Sequence, residues 1–176
     1  MFTKTLYFET KQEHDQVDRH PFLERLSESN ASQLYIDMNY KVLRIIESYA
    51  ARYSLPNFFE DLYRHVYYLE AKNPPELENL LQKVKNDCMN PMLFLSQVYM
   101  WYLGLMNGGQ YVQHILYTSE DVKERLFKFN NCLKLEKLLK DYIDDIVISK
   151  EDQQTFIENV KETYNLIKLV FDSCHF

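Results

Sequence analysis

Glycine is almost missing from this chain: three occur in 176 residues, and all of them fall between positions 104 and 109. Proline is confined to the first half, at positions 21, 56, 74, 75 and 91, so helix breaks marked by proline are expected only there. Cysteine is scarce too. Cys88, Cys132 and Cys174 are odd in number, far apart and in no CxxC arrangement. That excludes a disulfide framework, makes a zinc site unexpected and points to a reducing compartment. No hydrophobic run reaches the ~18 residues that cross a bilayer. Residues 1–11 alternate charge with apolar groups, unlike a signal peptide, and the end at Cys174, His175 and Phe176 is no membrane tail. A cytoplasmic protein without a membrane anchor is the expectation. Excess positive charge is also absent. A formal net charge of −6 argues against a nucleic-acid binder, which needs a basic stripe to neutralise phosphates.

What is present is helical periodicity almost throughout, and fourteen Tyr with eleven Phe to pack it. A first helix is expected over about Thr3–Arg19, stopped at His20-Pro21 because the residue before proline avoids the α region. Asn30 or Ser32 is expected to cap a long helix through Tyr53, with Leu34, Met38, Val42, Ile45, Ile46 and Tyr49 on one stripe. Asn57 should cap a helix carrying Phe58, Leu62, Val66 and Leu69. Asn73 before Pro74-Pro75 and Asn90 before Pro91 repeat a start signal. The second opens an apolar run from Met92 to Tyr117. Ser119 with Glu120 and Asp121, and Ser149-x-x-Asp152, mark two later starts, and Phe156, Val160, Tyr164, Ile167 and Phe171 recur at helical spacing after the second. No period-two strand pattern competes. The expected architecture is an all-α bundle of about seven or eight helices in one domain over residues 1–176.

The glycines sit inside Leu103-Gly104-Leu105-Met106-Asn107-Gly108-Gly109-Gln110, where the surroundings read as a buried helix. Each costs ~1 kcal/mol relative to alanine in a helix interior, so three cost roughly 3 kcal/mol of a typical stability of ~5–15 kcal/mol. Something should compensate. Gly104 and Gly108 lie one turn apart and clear one strip of the helix surface. Their absence of Cβ permits a helix crossing, a break with Gly108-Gly109 as a cap, or the close approach of a flat ligand.

Two segments carry a resemblance. Tyr99-x-x-Tyr102-Leu103-Gly104-x-x-x-Gly108-Gly109-Gln110 looks like the distal-helix signature of heme oxygenases. Independently, Glu9-Thr10-Lys11-Gln12-Glu13-His14-Asp15-Gln16-Val17-Asp18, followed by Phe22, is similar to that family's first helix, where a Thr-Lys-x-x-His run supplies the proximal ligand. The resemblance implies an all-α fold with heme b, both cofactor and substrate, between the first helix and the glycine-bearing one. By it, His14 is the axial iron ligand, a role imidazole fills while leaving the opposite face open for O2. Gly104 and Gly108 bring bare backbone to the porphyrin. Thr10, Lys11, Tyr99 and Lys140 match heme-contacting positions, the lysines and Tyr99 at the propionates, and Tyr164 and Phe171 present rings from the last helix. The implied products are biliverdin, carbon monoxide and ferrous iron. The implied partners are heme and an external reductant, a ferredoxin or a flavoprotein reductase.

The match has departures. Leu105 stands where the family has an aspartate that anchors a proton-delivering chain of waters. Asn107, at a position often occupied by serine, offers a polar group one turn away. Trp101 replaces a frequent arginine, and Glu136 and Tyr7 replace basic residues. These substitutions keep a second reading open, a heme carrier or sensor with altered chemistry. A third reading, a di-iron or thiamine-degrading relative of similar architecture, has only the fragments Glu9-x-x-x-Glu13-His14 and Glu60-x-x-x-x-His65 in its favour.

Overall fold

The computed structural model describes residues 1–174; His175 and Phe176, the last two positions of the expected domain, lie outside the described residues. Every regular element there is a helix. In chain order they are α1 (Phe2–Glu9), α2 (Lys11–Asp18), α3 (Pro21–Glu24), α4 (Ser29–Ala50), α5 (Phe59–Leu62), α6 (Pro75–Asp87), α7 (Pro91–Met106), α8 (Gly108–Val112), α9 (Glu120–Phe127), α10 (Cys132–Ile146) and α11 (Lys150–Asp172). Several starts fall where the capping residues put them. Asn90 accepts from the amides of Met92 and Leu93 ahead of α7, and Ser119 from that of Val122 ahead of α9. Ser149 accepts from the Asp152 amide at 3.0 Å ahead of α11.

Four expected boundaries change, each for a local reason. The helix expected over Thr3–Arg19 bends at Thr10, whose hydroxyl donates back to the Leu6 carbonyl at 2.7 Å and competes with the regular ladder. The long helix begins at Ser29, not after Asn30 or Ser32, and ends at Ala50. The Ser32 hydroxyl is engaged elsewhere, donating to the Tyr117 carbonyl at 2.7 Å. The helix expected from Asn57 through Leu69 stops after one turn. Glu47 accepts from the backbone amides of Arg64 and His65 at 2.9 Å each and from the Tyr102 hydroxyl at 2.7 Å, which holds the chain out of helix; His65 sits at φ 49°. The apolar run from Met92 breaks at Asn107 (φ −105°, ψ −91°), separating α7 from α8. The sequence also left α10 undelimited; Leu135, Leu139 and Ile143 form its buried stripe.

The core is organised around α7. From Phe94 to Met106 every residue is buried except Gly104. A helix apolar all round belongs inside a bundle, and α7 is flanked by α4, α6, α8, α9, α10 and α11. A buried polar network ties α6, α7 and α11 together. Asp87 accepts from Gln97 (2.8 Å) and Asn159 (2.9 Å), and Lys83 reaches Asp87 at 3.2 Å and the Asn159 carbonyl oxygen at 2.7 Å. Asn159 also donates to Ser96 at 2.7 Å, Gln97 donates to Thr163 at 3.1 Å, and the Trp101 indole donates to Gln97 at 2.9 Å. The start of α3 is fixed differently. His20 Nδ1 accepts from the Phe22 amide at 3.0 Å, and its Nε2 meets Asp172 at 2.7 Å, joining the end of α2 to the end of α11.

Two stability predictions follow from these contacts. Asp87→Leu strands Lys83, Gln97 and Asn159 in the interior and should cost about 3 kcal/mol. That corresponds to a fall in Tm of roughly 6–12 °C in thermal melts, and a shift under about 2 °C would contradict the network's role. Lys168, and after it His20, hold the Asp172 carboxyl below its ordinary range. The stability it contributes is therefore complete above the unfolded aspartate value of about 4 and fades as pH falls through the lowered folded value. Asp172→Asn should flatten the loss of stability below about pH 4 and leave pH 7–8 melts less stable than the unmodified protein; parallel pH profiles for the two proteins would exclude it.

Candidate functional site between α2 and α7

Tyr7, Lys11, His14 and Asp18 recur at helical spacing along α1 and α2, one face of the bent amino-terminal helix. Trp101, Gly104 and Gly108 form a comparable strip on α7 and its continuation. α2 leans on α11 and α1 and makes little direct contact with α7, and a Cβ on Gly104 would meet nothing within 4 Å, so a gap is left beside the α7 strip. Asp18 closes one end of it: its Oδ1 lies 3.5 Å from where a Cβ on Gly108 would stand. Tyr164 of α11 meets the His14 ring edge-on, with centroids 5.6 Å apart and planes at 87°.

The three glycines divide by what surrounds them. A Cβ on Gly104 would meet nothing within 4 Å; the backbone there is bare and open. A Cβ on Gly108 would make only ordinary contact with Asp18. A Cβ on Gly109 would stand 3.1 Å from the Phe127 ring and 3.2 Å from the Gly104 carbonyl oxygen, so this glycine serves internal packing. Gly104 is thus the one whose missing side chain no neighbouring group exploits.

His14 is well placed to offer one nitrogen. Its Nδ1 lies 3.5 Å from Asp15 Oδ1, its side chain is 41% exposed, and Nε2 has no partner among the described residues. A carboxylate on the far nitrogen is the arrangement that orients metal-binding imidazoles. Asp15 is held in turn by Lys11 at 2.9 Å, which keeps its carboxyl below the usual range. The neighbouring Glu13, weighed in the sequence only as part of a di-iron fragment, buries one carboxylate oxygen without a partner. Tyr99 is buried against Phe156, and burial, with Glu136 and Tyr7 nearby, pushes its phenol up to about 12. Burial likewise raises the Tyr164 phenol, with smaller contributions from Tyr99 and Asp18. Lys140 is paired with Glu136 at 2.8 Å.

The remaining expected contacts lie apart from the gap or behind it. Thr10 is 3% exposed with its hydroxyl committed to Leu6, and Phe171, also 3% exposed, stacks on Phe22 at 4.3 Å. Both are occupied by packing. Asn107 is exposed at the α7–α8 break. Leu105 is 2% exposed and belongs to the core, so the position where the resemblance expects a carboxylate is dry. Trp101, in place of an arginine, turns its indole into the buried polar network. Two surface concavities, one lined by Phe8, Lys11, Gln12, Asp15 and Gln16 and the other by residues from Gln110 to Cys132, include neither His14 nor Gly104. Among the described residues no group of three or more His, Cys, Asp or Glu side chains converges, so a di-iron centre lacks its ligands there. No described helix is long and apolar enough to cross a membrane.

Comparison with solved structures identifies the fold. A heme oxygenase from Leptospira interrogans superposes with a TM-score of 0.79 at 14% identity, covering 98% of this chain and 99% of that one. Heme oxygenase-1 from the cyanobacterium Synechocystis, solved in complex with heme, gives 0.78 at 15% identity over 97% of this chain and 90% of its own. Heme oxygenase 2 from Chlamydomonas reinhardtii, solved without heme, gives 0.76 at 15% identity over 98% and 96%. No family model matches the chain, and no curated protein matches it by sequence. The all-α architecture expected from the sequence is therefore the heme oxygenase fold, shared at an identity where the sequences themselves have diverged widely.

The glycines provide a direct test of the site's geometry. Gly109→Ala must displace Phe127 and should destabilise by about 1–3 kcal/mol. Gly104→Ala adds a methyl in open space and a better helix former, and should stabilise the ligand-free protein by up to ~1 kcal/mol. Urea denaturation of the pair measures both; a Gly104→Ala variant as destabilised as Gly109→Ala would mean the gap is closed.

Proposed function

We propose that this chain binds heme between α2 and α7 through His14 and cleaves it oxidatively to biliverdin, carbon monoxide and ferrous iron, using O2 and an external reductant. One observation carries the reading: His14 keeps an imidazole nitrogen without a partner on α2, and Gly104 bares the backbone of α7, which α2 scarcely touches. The shared fold supports it, and two of the similar structures were solved with heme. Heme b, when bound, supplies the redox-active iron and is itself the substrate.

The protein's own groups then have definable tasks. Asp15 stands 3.5 Å from His14 Nδ1, which leaves Nε2 as the nitrogen that would take the iron. Tyr164 packs against the imidazole edge and fixes its plane. The main chain at Gly104, with Gly108 one turn on, lets the α7 surface lie flat against a macrocycle and crowd part of its edge. Asn107 is the polar side chain nearest that strip in sequence and the candidate for holding water there. The reductant in this reading is a ferredoxin or a flavoprotein reductase, and the protein acts in the cytoplasm as a single domain.

A second reading, a heme carrier or sensor, is favoured specifically by Leu105. A leucine buried in the core has no lone pair with which to anchor a water chain, so proton delivery must run through Asn107 or through water entering the open groove. Two measurements separate the readings. Hemin titration should give a Soret band that shifts in His14→Ala with at least about a tenfold loss of affinity; an unchanged spectrum and affinity would remove His14 and the binding mode with it. Single-turnover reduction of the hemin complex under O2 should then yield biliverdin, identified by absorbance and mass. Bleaching without a bilin product would leave the carrier reading standing in place of the oxygenase.

A further inference from the structure

The strip that α7 leaves uncovered carries no charge of its own. Gly104 and Gly108 have no side chain, Leu105 is buried, and the Trp101 indole is committed to Gln97 at 2.9 Å. Asp18 brings a carboxylate to it from α2, with Oδ1 3.5 Å from the position of a Cβ on Gly108. Asp18 is exposed at the end of its helix and makes no hydrogen bond or ion pair among the described residues. It follows His14 by four residues, on the same face of α2 and about 6 Å further along the axis.

The neighbouring cations leave this carboxylate without an ion-pair partner. Lys11 is taken by Asp15 at 2.9 Å and Lys168 by Asp172 at 2.7 Å. Arg19, next in sequence, lies about 100° further round the helix and bears on Asp15. Lys161 stands a turn before Tyr164 on α11. His14 meets Tyr164 and His20 meets Asp172, so α2 and α11 run in the same direction, and Lys161 lies toward the start of α2, away from Asp18.

From this we infer that Asp18 is the specificity residue of the space beside Gly104 and Gly108: its charge admits water and neutral molecules there and disfavours anions. The inference rests on the heme reading above and adds to it a charge that acts on the small ligand of the iron, not on the porphyrin. Water drawn into the gap finds an acceptor in Asp18, although Leu105 offers none. An anion in the same space meets a like charge, and at roughly 8 Å in partly wet surroundings that repulsion is worth several-fold in affinity.

The test loads the intact protein with hemin in neutral buffer and reads ligand affinity, not turnover. Azide, an anion, is titrated into the ferric complex, and carbon monoxide, neutral and equally slender, into the ferrous one. Asp18→Asn should tighten azide about three- to tenfold and leave carbon monoxide within about twofold, and Asp18→Glu should restore the weaker azide binding. An azide change below about twofold, or an equal change for both ligands, overturns the inference. The Tm of Asp18→Asn should stay within about 2 °C of the unmodified protein, and a larger fall marks a structural residue and counts against the assignment. If hemin does not bind, or binds His14→Ala as it binds the unmodified protein, the heme reading falls and this inference with it. A His14-dependent complex with unchanged azide affinity removes the role of Asp18 alone.

Discussion

The burial of α7 on nearly every side governs the rest of the molecule. A helix surrounded by six others has no freedom to present a functional face unless one strip is left uncovered, and here that strip is Gly104 with Gly108 beyond it. The surrounding helices are held at fixed spacing by the Asp87-centred network on one side and by Glu47 gripping Tyr102 on the other. α2 cannot settle onto α7, because its bend at Thr10 and its anchoring through His20 to Asp172 tie it to α11. The groove is what remains when two helices are each committed elsewhere.

Within that frame the three glycines have separate causes. Gly109 is required by Phe127, a contact that any helical protein of this shape might impose on itself without reference to a ligand. Gly104 is different, because the chain accepts the conformational cost of a glycine where the fold has room for a side chain. An unexploited glycine in a nearly glycine-free sequence is hard to attribute to packing. It fits a surface whose partner is something other than protein side chains.

Much of this was legible in the residues. Asn90-Pro91, Ser119 and Ser149 act through short-range hydrogen bonds and located their helices correctly. The glycine cluster and the His14 segment fall on the helices α7, α8 and α2. The failures are all tertiary. Glu47 captures the amides of Arg64 and His65 from a distant helix, so the periodicity of Phe58, Leu62, Val66 and Leu69 does not produce the helix it suggests. Thr10 bends the first helix for a reason equally outside the pattern, its hydroxyl bonding back to the Leu6 carbonyl.

The departures from the heme oxygenase pattern share a direction. Leu105 replaces a carboxylate with core packing, Trp101 diverts into a network behind the strip, and Glu136 cancels the lysine beside it. Each removes charge or free polarity from those positions, while His14 keeps an imidazole nitrogen without a partner and Gly104 keeps a bare stretch of backbone. In the heme reading proposed above, coordination and shape would hold the flat ligand, whereas charge and ordered water would steer its protons. A chain that keeps the first pair and lacks the second suits that reading better at the step of binding than at the step of proton delivery.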